Sequence, residues 1–198
     1  MKDRELTAQR ILDAVGELIA DEGFERIGVN AIAQKAGVSK MLIYRYFGGL
    51  DELITQYLLR KDYWANTDVH AISATDVAGS LKRLFAEQVA QLREDVTLRR
   101  LCRWELTADN ANIRQLRESR EQKGCELIRM VGQLTGSGDA EVAALATILS
   151  ASISYLVLME EQSDTYNGIN LQRDEGWMQI TNGLNLIIDL WMKQSLRS

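Results

Sequence analysis

The stretch Ala31 to Phe47, AIAQKAGVSKMLIYRYF, decides the fold. Its apolar positions fall into two short groups at helical spacing: Ile32, Ala33 and Ala36, then Ile43, Tyr46 and Phe47. Gly37 between them is the residue type expected where a helix ends in a left-handed conformation. Val38 is placed to plug the angle between two helices. Ser39 is a good N-cap type, with a side-chain oxygen able to accept from the free N–H groups of the next turn. Ser39, Lys40, Met41, Leu42, Tyr44 and Arg45 are then left pointing mostly outward. Helices joined this way form a helix-turn-helix, in which the first helix braces and the second lies in the major groove of DNA.

The flanks predict more helices. Ile11, Leu12, Val15, Leu18 and Ile19 form the apolar stripe of a first helix from about Thr7 to Glu22, ended by Gly23. Phe24 opens a short loop, and the brace helix starts near Val29. Gly48-Gly49 break the recognition helix. A long helix then begins near Leu50, with Leu53, Ile54, Tyr57 and Leu58 on one face and Tyr63 and Trp64 in its continuation. Residues 65–75 read as a polar loop. Five helices follow, over about Asp76–Arg93, Val96–Leu106, Ala111–Leu134, Ala140–Glu161 with Asp139 as its cap, and Asp174–Ser195. Residues 162–173 read as a loop. The fold class expected is all-α, with about nine helices.

Composition agrees. None of the 198 residues is proline, where average usage gives about ten, and a chain without helix breakers favours long helices. The 46% hydrophobic content is ample for one or two packed cores. The net charge of −5 does not advertise a nucleic-acid binder. Between Gly23 and Gly49, however, Arg26, Lys35, Lys40 and Arg45 stand against Glu25 alone, a local excess of 4 − 1 = +3. Cys102 and Cys125 lack metal-ligand spacing and read as reduced core thiols. The polar start MKDRELTAQR is no signal peptide, and no apolar run is read as reaching the ~20 residues that span a membrane. The expectation is a cytoplasmic protein with no membrane partner.

Catalytic chemistry is not provided for. His70 is the only histidine and sits in a polar loop, which argues against triads and di-iron centres. No phosphate-binding glycine loop occurs. No catalytic residue, metal site or cofactor is expected, and a helical enzyme is disfavoured. The last two long helices are apolar over wide arcs, which implies burial on more than one side and so a subunit interface. Ala144, Ile148, Ala151 and Tyr155 share one side of the earlier helix; Leu145, Leu149, Ser152 and Leu156 form the next stripe. The interface set read from these helices is Ile148, Ser152, Tyr155, Trp177, Ile180, Leu184, Ile188 and Trp191. Tyr63, Trp64, Trp104, Tyr155 and Met159 are candidate walls of a pocket for a small organic ligand.

The segments AQRILDAVGELIADEGFE, IAQKAGVS, IYRYF and DELI, in this order between Thr7 and Leu53, resemble the amino-terminal domain of the TetR/AcrR family of bacterial transcriptional regulators. The resemblance implies a three-helix DNA-binding domain at 1–49 and a helical ligand-binding and dimerisation domain at 50–198. It implies a homodimer joined by a four-helix bundle of the last two long helices. The implied partners are double-stranded operator DNA and a small-molecule effector that shifts the helix from Leu50. Asn30, Ser39, Lys40, Met41, Tyr44, Arg45 and Tyr46 are the implied DNA-binding set. Arg45 suits guanine, and Lys40 and the Tyr44 hydroxyl suit phosphate. Three positions depart from the family pattern: Gly28 where Ser or Thr usually caps the brace helix, Leu42 within the recognition helix, and Leu50 in place of a lysine. A repressor released by an apolar or aromatic ligand is the leading expectation. A filled-core relative that is non-inducible or protein-regulated is the alternative.

Overall fold

The computed structural model describes residues 2–195. Among them are nine α-helices and one two-stranded hairpin, so the chain is all-α. The helices are α1 (Lys2–Glu22), α2 (Val29–Ala36), α3 (Lys40–Phe47), α4 (Leu50–Lys61), α5 (Val77–Glu94), α6 (Val96–Glu105), α7 (Ala111–Thr135), α8 (Asp139–Glu160) and α9 (Asp174–Ser195). The chain divides into two compact units. Among the described residues, 2–66 and 95–120 form one, and 67–94 and 121–195 the other. The units do not follow the chain order of a 1–49 and 50–198 division: α4, α6 and the start of α7 pack with the amino-terminal helices.

In the first unit, Ile11, Leu12, Val15, Leu18 and Ile19 of α1 are buried against Ile32, Ala33 and Ala36 of α2, Ile43 and Phe47 of α3, and Leu53 and Leu58 of α4. The turn between α2 and α3 is fixed by backbone chemistry. Gly37 sits at φ 63°, and its N–H donates to Gln34 O while the Val38 N–H donates to Ala33 O at 3.0 Å. This double closure is a Schellman motif, and it satisfies carbonyls that the helix end would leave bare. Arg10 of α1 serves the same end from outside, with Nη2 donating to Ala36 O at 2.7 Å. Ser39 has the extended backbone of an N-cap but makes no side-chain cap bond, contrary to the sequence expectation; only its carbonyl takes part, accepting from Leu42 N–H at 3.0 Å. Gly48, at φ 80°, ends α3. Helix α4 stops at Lys61, so Tyr63 and Trp64 lie in the following turn rather than in the helix. Asp62 explains the stop, because its carboxylate accepts from the Ala65 N–H at 2.7 Å and holds the chain in a turn. Burial pushes the Cys102 thiol of α6 up to about 11, so it stays protonated at neutral pH.

In the second unit α5 packs on α8 and α9. Its core joins Leu81, Phe85 and Val89 of α5 to Leu149, Ile153 and Val157 of α8 and Trp177, Leu184, Ile188 and Trp191 of α9. Arg93 of α5 pairs with Glu160 at 3.1 Å and Asp174 at 3.2 Å, with its guanidinium over the Trp177 ring. Gly138 rather than Asp139 occupies the cap position of α8; Asp139 stands in the first turn, where a carboxylate complements the helix dipole. The expected loop at 162–173 contains a hairpin, β1 (Thr165–Tyr166) and β2 (Ile169–Asn170), turned by Asn167 at φ 50° and Gly168 at φ 82°. Two adjacent left-handed residues make the turn type that suits a tight hairpin. The hairpin passes directly over the start of α9: a Cβ on Gly176 would overlap the Asn170 carbonyl oxygen.

By length and composition α8 could cross a membrane, with an 18-residue window of mean hydropathy 2.1, which corrects the expectation that no run approaches that length. The physical reason for that composition is two apolar sides: one holds Leu149, Ile153 and Val157 in the core, the other carries Ala144, Ile148, Ala151 and Tyr155 outward.

Candidate nucleic-acid interface

Helix α3 buries only Ile43 and Phe47. That commits one side to the core and turns the opposite side out. Lys40 and Arg45 are exposed, Met41 is 72% and Tyr44 50% exposed, and Leu42 is half-buried. Ser39 and Asn30 lie exposed at the starts of α3 and α2. Two large, exposed side chains beside two cations on one short helix give both hydrogen-bond donors and apolar area for a groove.

Tyr46 is half-buried and gathers cations. Arg45 lies with Cζ 5.2 Å from its ring centre and Nη2 3.4 Å from its hydroxyl oxygen. Arg4, from the first turn of α1, lies 5.4 Å from the same ring. Sequence reasoning misses Arg4 on this surface, because it precedes the recognition helix by a long stretch of chain and only the fold brings it there. Lys35, by contrast, is exposed but already engaged by carboxylates. Its ammonium pairs with Glu17 at 3.1 Å and Asp21 at 3.2 Å, and these bonds raise its pKa, Glu17 contributing most. The +3 window includes Lys35 as a free charge; its partners sit on α1, outside that window.

The remaining candidates are distributed differently from the sequence expectation. Trp104 stacks flat on Phe24, centroids 4.3 Å apart and planes 2° from parallel. It borders a cavity of about 300 Å³ with Ile54, Asp51 and Asn112, in the first unit. Tyr63 is buried edge-to-face against Trp64 at 5.1 Å, also in that unit. Tyr155 and Met159 belong to the second unit, where Tyr155 is 51% exposed and meets Tyr166 of the hairpin edge-on at 5.8 Å. Neither unit gathers the five into one cavity among the described residues.

The interface set divides as well. Ile148 (65% exposed) and Tyr155 lie open; Ser152 and Ile180 are half-buried. Trp177, Leu184, Ile188 and Trp191 are buried inside the chain's own core and are corrected out of any outward surface. The outward face of α9 is instead Met178, Leu186, Ile187 and Leu190.

Residues 11–57 match the family model for bacterial regulatory proteins, tetR family. An uncharacterized HTH-type transcriptional regulator of Mycobacterium tuberculosis is 35% identical over 89 residues, 45% of this chain and 44% of the relative. The chain thus aligns with less than half the length of that curated relative. Among solved structures, a TetR family transcription regulator from Marinobacter aquaeolei shares the fold with a TM-score of 0.69 at 21% identity, over 95% of this chain and 98% of that one. NalD, the secondary repressor of the MexAB-OprM multidrug efflux pump in Pseudomonas aeruginosa, does so with a TM-score of 0.62 at 21% identity, over 82% and 87%. The matched segment is the one that builds the braced, outward-facing α3, and over residues 11–57 the chain is similar to the bacterial regulatory proteins of the tetR family.

Proposed function

We propose that the chain is a DNA-binding transcriptional regulator, a cytoplasmic homodimeric repressor that a small organic molecule releases from its operator. The observation that carries the reading is α3: Lys40, Met41, Tyr44 and Arg45 are exposed together on a helix whose entry is locked by the Gly37 turn and the Arg10 bond. Arg45 is the base reader, able to take guanine O6 and N7 bidentately. Lys40, Ser39, Asn30 and Tyr44 are phosphate contacts, and Arg4 joins them through Tyr46. Leu50 supplies no charge at the start of α4, so Arg4 and Lys40 carry more of the phosphate attraction.

Dimerisation is proposed through the outward stripes of α8 and α9. Ala144, Ile148, Ala151 and Tyr155 supply one ridge, Leu186, Ile187 and Leu190 the other. An apolar surface of this kind on a solvent face calls for a partner, and a symmetric pair sets two recognition helices ~34–36 Å apart for successive major grooves. NalD is a repressor, which supports the repressive sense. The filled-core alternative is favoured by one fact, that Trp104 is already engaged by Phe24.

The test is fluorescence anisotropy with labelled duplexes tiled across the DNA flanking the chain's own gene. The expected result is salt-dependent binding to one pseudo-palindromic duplex with Kd on the order of 10⁻⁸–10⁻¹¹ M. Equal affinity for all duplexes would refute the operator reading.

A further inference from the structure

The first unit contains a groove, about 560 Å³, between the outer side of α1 and the end of α4, with Thr97 of α6 at its base. Its floor is narrow and apolar, made of Leu12, Gly16 and Ala20. Tyr57 reaches over Gly16, where a Cβ would come within 2.8 Å of its hydroxyl oxygen. Tyr57 is only 4% exposed, and its hydroxyl has no hydrogen-bond partner among the described residues. The Thr97 hydroxyl stands beside it without meeting hydrogen-bond geometry. A buried hydroxyl left without a bond is costly, so it calls for an explanation, a bound polar molecule among them. Burial pushes the phenol up to about 12, so at neutral pH it is an O–H donor seeking an acceptor.

The charges around this donor sort by wall. On the α4 side, Lys61 is paired with Asp95 at 3.1 Å, while Arg60 is exposed with no ion-pair partner among the described residues. On the α1 side, Glu17 is paired with Lys35, while Asp13 has no ion-pair partner among the described residues and accepts from the Gln9 amide at 2.8 Å. The groove therefore keeps one unpaired cation with a phenol donor on one wall, and one unpaired carboxylate on the other. Packed helices stand roughly 8–10 Å apart axis to axis, so a molecule answering both walls must carry its two charges several bonds apart on an apolar body.

We infer that this groove binds an ω-amino carboxylate, a small zwitterion whose carboxylate meets Arg60 and the Tyr57 hydroxyl and whose ammonium meets Asp13, its methylenes lying on Leu12, Gly16 and Ala20. The site differs from the expected aromatic pocket, sharing none of its residues. Its service as the effector site rests on the operator reading above; its occupancy does not.

The test uses the full chain without DNA, by equilibrium dialysis against isotopically labelled 6-aminohexanoate. A Kd of about 1 mM or tighter is expected, as suits nine non-hydrogen atoms. Hexanoate and hexylamine, each carrying one of the charges, should compete at least about tenfold less well. Tyr57→Phe removes only the hydroxyl and should weaken binding about tenfold while the melting temperature holds or rises, since an unsatisfied buried group is lost. Arg60→Gln, on the surface, should weaken it similarly without unfolding. Absence of bound label at 10 mM probe (about ten times the expected Kd), equal competition by the two half-probes, or undiminished binding in both variants would overturn the site. Because no DNA is present, that result would leave the operator reading standing.

Discussion

Arg120 grips Asp62 with two nitrogens, Nε at 2.7 Å and Nη2 at 2.5 Å, joining the middle of α7 to the residue that stops α4. Its third nitrogen, Nη1, holds Glu105 at the end of α6 at 2.5 Å. Asp62 is buried and also accepts the Ala65 N–H. Two opposing carboxylates and their hydrogen bonds overcome the desolvation of the guanidinium and raise its pKa further. Such a cluster is not a large net source of stability, yet removing one member strands the others. Asp62→Ala should therefore cost about 3 kcal/mol, read by urea unfolding. A loss below about 1 kcal/mol, the level of an exposed pair, would show that the cluster is solvated.

Arg45→Ala should weaken the preferred operator by about 1–3 kcal/mol and relax base preference at one position per half-site. Arg4→Ala and Lys40→Ala should weaken every duplex alike and flatten the salt dependence by about one unit for each phosphate no longer neutralised. Lys35→Ala should leave the salt slope alone, because that ammonium is held by Glu17 and Asp21. Anisotropy titrations at several salt concentrations separate these outcomes.

Leucines on opposite sides of α9 should behave differently. Leu190 and Leu186 face out, whereas Leu184 faces in. Leu186→Glu and Leu190→Glu should yield a folded chain of 22.3 kDa by light scattering in place of the proposed dimer. Leu184→Glu should unfold the chain, since an unpaired charge in its core costs several kcal/mol. A folded dimer from Leu190→Glu would place the interface elsewhere.

Alkaline pH should find Tyr57. Its folded pKa is raised to about 12 from 10.0, chiefly by burial, with the Thr97 hydroxyl opposing and Asp95 and Asp13 adding. The folded state therefore holds that proton more tightly than the unfolded one. The stability this contributes is fully present below pH 10 and is lost as pH rises from 10 towards 12, by about 2–3 kcal/mol. Tyr57→Phe should show a shallower loss over this window than the parent in unfolding titrations. Parallel curves would mean that the phenol is solvated.

The braced α3 is legible in the sequence because every signal there is local: Gly37 and Gly48 end helices by their own φ, and Ile43 and Phe47 mark the inner face within one turn of each other. The orientation of α9 is not legible. Trp177, Leu184, Ile188 and Trp191 form one apolar stripe and Met178, Leu186, Ile187 and Leu190 another, and periodicity does not tell which of two stripes α5 covers. Lys35 looks free in the sequence because its partners are 14 and 18 positions earlier, on another helix. Trp104 misleads for the same reason: Phe24, which covers its face, is far away in sequence. The hairpin carries its signal, Asn167-Gly168, but strands of two residues give no alternation to notice.

The pairing proposed for the outward stripes of α8 and α9 carries a dosage rule. For a regulator that reads its operator only as a pair, the paired fraction depends on how many chains a cell holds. Below the pairing constant, operator occupancy climbs with the square of chain number rather than in proportion to it. A cell that makes half as many chains then loses about three-quarters of its operator-competent pairs. Substitutions such as Ile148→Val, which trim the stripe without touching DNA or core, would move the chain number at which the regulated gene falls silent.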